Sequence, residues 1–213
     1  MFKIKFFLIT LIIYGLSFLD AASFTSESAL QELINGNLRF VSQKLINIDY
    51  HAQIESTKDM QKPHSIILTC MDSRVPPEII FDQGIGNIFV VRNAGNIEDK
   101  NVLGSMEYAV KFAGAKLIVV LGHSNCGAVT GAVKGVKNGN LTQIMQRIEP
   151  CIPENTHESL IVEKTTINNI YLTIDNILKE SKTINELYQD KQIGIVPAFY
   201  DLASGEVRFL DNK

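Results

Sequence analysis

Tryptophan is absent from this chain, and cysteine, histidine and proline are scarce: three, four and six residues among 213. Three cysteines are few and odd in number, so no disulfide framework holds the fold together. There is no surplus of basic residues. Lys and Arg number 20 against 23 Asp and Glu, a formal net charge of −3, which leaves no electrostatic footprint for nucleic acid. No tract of like charge forms an acidic or basic tail. Glycine and proline are scattered, with no internal repeat and no low-complexity segment, which excludes repeat arrays. The longest apolar stretch, Phe6 to Leu19, has fourteen residues and is short for a bilayer span. What is there is a chain with 46% hydrophobic and 20% charged residues. That is enough for one sizeable core, and residues 23–213 are read as a single domain.

The first 22 residues read separately. Lys3 and Lys5 make a short basic start, the apolar stretch follows, and Ala21, Ala22 and Ser23 supply small residues after it. This is the pattern of a secretory signal peptide, residues 1–22, with cleavage between Ala21 and Phe24. An uncleaved anchor and a buried N-terminal helix are the other readings of the same stretch. Removal of 1–22 takes away Lys3, Lys5 and Asp20, moving the net charge from −3 to −4, and leaves no stable membrane anchor. The short Lys-rich signal suits a bacterial exporter and hence the periplasm; a eukaryotic secretory route stays open.

Two apolar runs end in the residues with chemistry. Ser65-Ile-Ile-Leu-Thr-Cys70 leads to Asp72 and Arg74, and Lys116-Leu-Ile-Val-Val-Leu-Gly-His123 leads to Cys126. Short β-branched runs bounded by turn residues read as buried strands. Cys70, His123 and Cys126 then lie just past two strand ends, where open α/β sheets bind ligands. Two thiols and an imidazole form a three-ligand zinc set with the fourth position open. Asp72 and Arg74, two and four residues from Cys70, face the same pocket. Taken singly, each has an ordinary explanation: a strand cysteine, a core or capping histidine, a surface ion pair of little consequence. Their joint placement favours a site. Cys151 is left over as a small structural hydrophobe or free thiol. His51, His64 and His157 fall in polar or irregular stretches and are read as surface residues.

Around these runs the chain alternates strands with helices. Thr25 or Ser26 caps a helix carrying Leu30, Leu33, Ile34, Phe40 and Val41. Ile46 to Pro63 reads as irregular, with room for a short helix. Glu78 to Phe81 is a short helix, Asn87 to Val91 a strand, Val102 to Phe112 a helix, and Cys126 to Val133 a helix of small residues. Leu141 to Ile148 is a further helix. Asn155 or Thr156 caps a long one ending near Ser181. Gln192 to Val196 and Val207 to Leu210 are the last strands, the terminal hairpin adding an antiparallel edge. The fold class is α/β with a largely parallel sheet.

Cys-x-Asp-x-Arg followed about fifty residues later by His-x-x-Cys resembles the β-class carbonic anhydrases. Phe89-Val-Val-Arg-Asn-Ala-Gly-Asn96, Gly104-Ser-Met-Glu-Tyr-Ala109 and Gly122-His-Ser-Asn-Cys-Gly-Ala128 agree with it, and Ala198 to Glu206 resembles the family's last hairpin. The resemblance spans roughly Thr25 to Leu210. It implies a mostly parallel central sheet flanked by helices, with an N-terminal helical arm. It implies one zinc ion per subunit on Cys70, His123 and Cys126, and a catalytic dyad of Asp72 and Arg74. The reaction implied is reversible hydration of carbon dioxide to bicarbonate and a proton by zinc-bound hydroxide. The assembly implied is a homodimer or homotetramer, in which the N-terminal helix packs on a neighbour; packing on its own core is the plain alternative.

Asp72 has two possible roles in such a site. Held on Arg74 it orients the attacking oxygen; swung inward it fills the fourth position. The closed form belongs to a subgroup whose bicarbonate site includes a tryptophan, and this chain has none. Two thiolates donate strongly to the ion, so activity is expected to favour alkaline conditions. Val75, Phe89 and Ala94 are candidates for lining an apolar substrate pocket, with Gln83 a candidate hydrogen-bond donor. The Arg92 to Gly95 segment is read as structural, bracing the site loop or a subunit interface. Other readings are carbonyl sulfide or carbon disulfide hydrolysis within the same family, and a non-catalytic zinc or redox-sensitive binding protein in which Cys70 pairs with Cys126. A cysteine phosphatase is disfavoured, since Cys-x3-Arg here replaces Cys-x5-Arg and no Gly-rich phosphate cradle follows.

Overall fold

The computed structural model describes residues 24–211; the expected signal peptide lies outside them. Among the described residues five strands form one sheet in the order β2-β1-β3-β4-β5, where β1 is Ser65–Cys70, β2 Ile88–Asn93, β3 Leu117–His123, β4 Gly194–Tyr200 and β5 Val207–Phe209. The first four are parallel, and β5 returns antiparallel on β4. The runs β1 and β3 are buried along their whole length, as expected of strands covered on both faces.

Alternation along the strands sorts the core into two layers. Ile66, Leu68, Ile118 and Val120 face α4 (Lys100–Lys111), α7 (Glu158–Glu180) and α8 (Lys182–Gln189), meeting Met106, Ile170, Ile177 and Ile184. Ile67, Val119 and Leu121 face α1 (Ser26–Val41) and α3 (Pro77–Ile80), meeting Ala29, Leu33, Ile80 and Phe81. Thr25 caps α1 by accepting from the Ser28 N–H. The helix lies so close to the chain after α3 that a Cβ at Gly36 would stand 1.7 Å from the Phe81 carbonyl oxygen. Within the chain, α1 therefore packs on its own core. A short α2, Tyr50–Thr57, occupies part of the stretch read as irregular.

Three readings are corrected. His157, not Asn155 or Thr156, caps α7, its side chain accepting from the Ser159 N–H. The segment after Ser181 forms α8, which was not expected; Ser181 ends α7 and caps α8 through the Ile184 N–H, burying Ile184 and Leu187. His64 is buried rather than exposed: its ring stacks on Phe24 and bonds Ser65 and Gln83. Two of these partners, Phe24 and Gln83, lie far along the chain and leave no local signal. His51 and His157 are exposed, as read.

Candidate metal centre

In a sheet of order 2-1-3-4-5 the strand order reverses between β1 and β3, and the crevice at their carboxyl ends is where ligands are bound. The residues of interest lie there. Cys70 is the last residue of β1 and His123 the last of β3, and Thr69 pairs with Leu121 across the ladder. Cys126 stands at the start of α5 (Gly127–Val133). Cys70, Cys126 and His123 offer three ligand atoms that all lie within 4.8 Å of one another, and all three residues are buried. The two sulfurs are 3.9 Å apart.

The histidine is prepared as a donor. Its Nδ1 lies 2.9 Å from the Ser124 carbonyl oxygen. A carbonyl can only accept, so Nδ1 carries the proton and Nε2 presents its lone pair. Nε2 is buried and has no hydrogen-bond partner, a costly state unless something binds there. The sulfurs tell the same story. The Cys126 S–H donates to Cys70 and pulls the Cys70 thiol down, helped by the Gly95 and Asp72 N–H groups against burial. The same contact, with burial, pushes Cys126 up. Two thiolates this close cannot both be charged without a cation between them. An orphaned imidazole nitrogen beside paired sulfurs fits a borderline-soft dication such as zinc.

Asp72 sits beside this group, with Oδ2 3.9 Å from His123 Nε2. Arg74 holds it by a two-pronged contact, Nε to Oδ1 at 2.9 Å and Nη2 to Oδ2 at 2.8 Å, and the Arg74 N–H adds a third bond at 3.0 Å. These bonds hold the Asp72 carboxyl far below the usual carboxylate range. Arg92 donates to the Asp72 carbonyl, and the Gly95 N–H reaches Cys70 Sγ at 3.5 Å. The segment read as a structural brace does brace the site loop.

Of the pocket candidates, Ala94 adjoins Gly95 beside the site, and Val75 follows Arg74 into the buried layer under α1. Phe89 pairs with Ile66 near the opposite end of β1 and meets Tyr108. Within the chain Gln83 also belongs to that far end, bonded to His64 and the Phe81 carbonyl, about 20 Å from Cys70 at roughly 3.3 Å per strand residue. The sequence reading missed the Ser124 carbonyl that orients His123. A backbone acceptor leaves no side-chain signal.

Fold and site together define a class: an α/β protein with a Cys–His–Cys group able to hold a metal ion at the carboxyl edge of its sheet. Comparison with known proteins gives the family. The family model described as carbonic anhydrase matches residues 65–207. Carbonic anhydrase 2 of Mycobacterium tuberculosis is 35% identical over 195 residues, covering 87% of this chain and 93% of its own. The carbonic anhydrase of Mycolicibacterium smegmatis is 35% identical over 187 residues, with coverage of 84% and 91%. Among solved structures, the β-carbonic anhydrase CcaA matches with a TM-score of 0.69 at 26% identity, covering 85% of this chain and 95% of its own. A tetrameric β-carbonic anhydrase from Sordaria macrospora matches with 0.70 at 25% identity, covering 86% and 97%. The chain belongs to the β-carbonic anhydrase family. By family it is a carbonate dehydratase, a lyase, and hydration of carbon dioxide is the general activity of that family.

Proposed function

We propose that this protein interconverts carbon dioxide and bicarbonate, with one zinc ion per chain on Cys70, His123 and Cys126 and with Asp72 and Arg74 as the dyad beside it. The observation that carries this reading is the buried, unpartnered Nε2 of His123 facing two paired sulfurs, with the Asp72 carboxylate 3.9 Å away. Zinc, when bound, supplies hydroxide near neutral pH, the behaviour known for the three-histidine carbonic anhydrases.

The chain's residues do the rest. Asp72 is ionised and so accepts only; it takes a hydrogen bond from the attacking oxygen and aims a lone pair at the carbon of the substrate. Arg74 keeps that carboxylate off the three donor atoms. The Ser124 carbonyl keeps the His123 lone pair on the site. Met145 and Ile148 of α6 (Leu141–Ile148) pack with Val129 around Cys70 and Cys126 and exclude water from behind the sulfurs.

The reading extends to an exported homodimer or homotetramer. The segment 1–22 supports export. Exposed Ile48, Tyr50, Ile79 and Ile85, lining one groove, support assembly, since apolar groups clustered on a surface mark contact sites. Metal analysis tests the ligand set. The full-length chain, refolded with zinc, is expected to hold one ion, and Cys126→Ser to lose it. Full metal content in Cys126→Ser would refute the assignment.

A further inference from the structure

We infer that Asn169, on α7 and 99 positions beyond Cys70 in the chain, is a positioning residue for the Cys70 sulfur, working through the backbone of Gly95. This rests on the ligand assignment proposed above. The sulfur of Cys70 accepts the Gly95 N–H at 3.5 Å. Gly95 has φ +79°, and a Cβ there would stand 2.7 Å from Ile148 Cδ1, so only glycine serves. A glycine in that conformation is free to turn its N–H elsewhere unless something holds it. The Asn169 side-chain amide does so, Nδ2 donating to the Gly95 carbonyl at 2.9 Å.

The holding group is itself held. Asn169 is 1% exposed, and its Oδ1 lies 4.0 Å from the Cys151 sulfur. Burial pushes the Cys151 thiol up to about 11, so it stays protonated and donates. The Asn168 amide fixes Cys151 in turn, at 2.9 Å to its carbonyl. A continuous path therefore runs Cys151 S–H to Asn169 Oδ1, Asn169 Nδ2 to Gly95 O, and Gly95 N–H to Cys70 Sγ. It gives the third cysteine a task outside the ligand set. Thr173, one turn further along the same face of α7, donates to the Asn96 carbonyl at 3.4 Å. Asn176, a turn beyond that, donates to the Glu98 carboxylate at 3.1 Å. One face of α7 thus grips the loop that touches the sulfur. Groups behind metal ligands of this kind are worth about 10- to 100-fold in metal affinity.

The test is zinc affinity of the full-length chain by competition with a chelator, together with the thiolate-to-cobalt absorption band of the cobalt-loaded protein. Asn169→Leu keeps roughly the volume and cannot donate in any protonation state. Zinc affinity is expected to fall about 10- to 100-fold, and the cobalt band to move to longer wavelength as the sulfur loses its N–H. Thr165→Val is the control. It alters a buried side chain on the same helix whose hydroxyl bonds only the Ile161 carbonyl, and its affinity and band should match the parent protein. Should Asn169→Leu fail to fold, Cys151→Ala against Cys151→Ser reads the same path, the serine retaining a donor and the alanine losing it. Parent-like affinity and band in Asn169→Leu, or equal behaviour of the two Cys151 variants, overturns the inference. Failure of the parent chain to bind zinc would instead refute the ligand assignment, and the inference with it.

Discussion

Asp72 matters for where it is held. Its carboxylate carries both prongs of Arg74 and a backbone N–H, so the negative charge is fixed in place. The folded-state value lies below the ordinary carboxylate pKa of about 3.9. For such a group the stabilising contribution is present above the unfolded value and disappears only as pH falls through the folded one. The dyad should therefore be unchanged from pH 6.5 to 9, and any rise of rate with pH in that window must come from elsewhere in the site. In the proposed function, Asp72→Asn keeps the metal yet loses most turnover, measured as kcat against zinc content; parent rates in that variant would remove the dyad from the mechanism. The residues proposed as ligands and dyad could be singled out from sequence because Cys70 and His123 end two strands and Asp72, Arg74 and Cys126 follow within two to four residues. His64, Gln83 and Asn169 could not. His64 meets Gln83 across 19 residues and Asn169 meets Gly95 across 74, and only the fold brings them together.

At the scale of elements, the site depends on how closely helices approach the sheet. Strands β1 and β3 were legible because continuous β-branched runs bounded by turns have few other readings. The helix α8 was not, since eight residues after a long helix offer two apolar contacts and a serine cap, a pattern a loop shares. The approach of α1 to the chain after α3 is equally silent in sequence. Gly36 looks there like a weak point in a helix, whereas in the fold it is the point of contact. Gly36→Ala drives a methyl group into the Phe81 carbonyl and should cost about 3 kcal/mol, read as a lowered midpoint in urea with the slope unchanged. A parent-like midpoint would mean that α1 can lift off without loss.

At the scale of the whole molecule, two properties join sequence and surface. The order 2-1-3-4-5 places one crevice at the switch between β1 and β3, and the Cys–His–Cys group falls in it. Away from the crevice, apolar side chains including Ile48, Ile79 and Ile85 stand exposed, which a lone chain does not need. Light scattering on the purified protein is expected to give the mass of a dimer or tetramer. N-terminal sequencing after export should find a start between Ala21 and Phe24. A monomer in dilute solution, or an intact residue 1, would contradict the corresponding part of the proposal. The shared apolar face was legible only as composition. The sequence shows that apolar residues occur between Leu45 and Ile85, and the fold shows that they share a face.

The most direct test is stopped-flow hydration of carbon dioxide by the zinc-loaded protein between about pH 6.5 and 9, with metal content measured on the same sample. The account predicts fast turnover that rises toward alkaline pH and disappears with zinc removal. No turnover at any pH with zinc bound would contradict it, and carbon disulfide would then be the substrate to try.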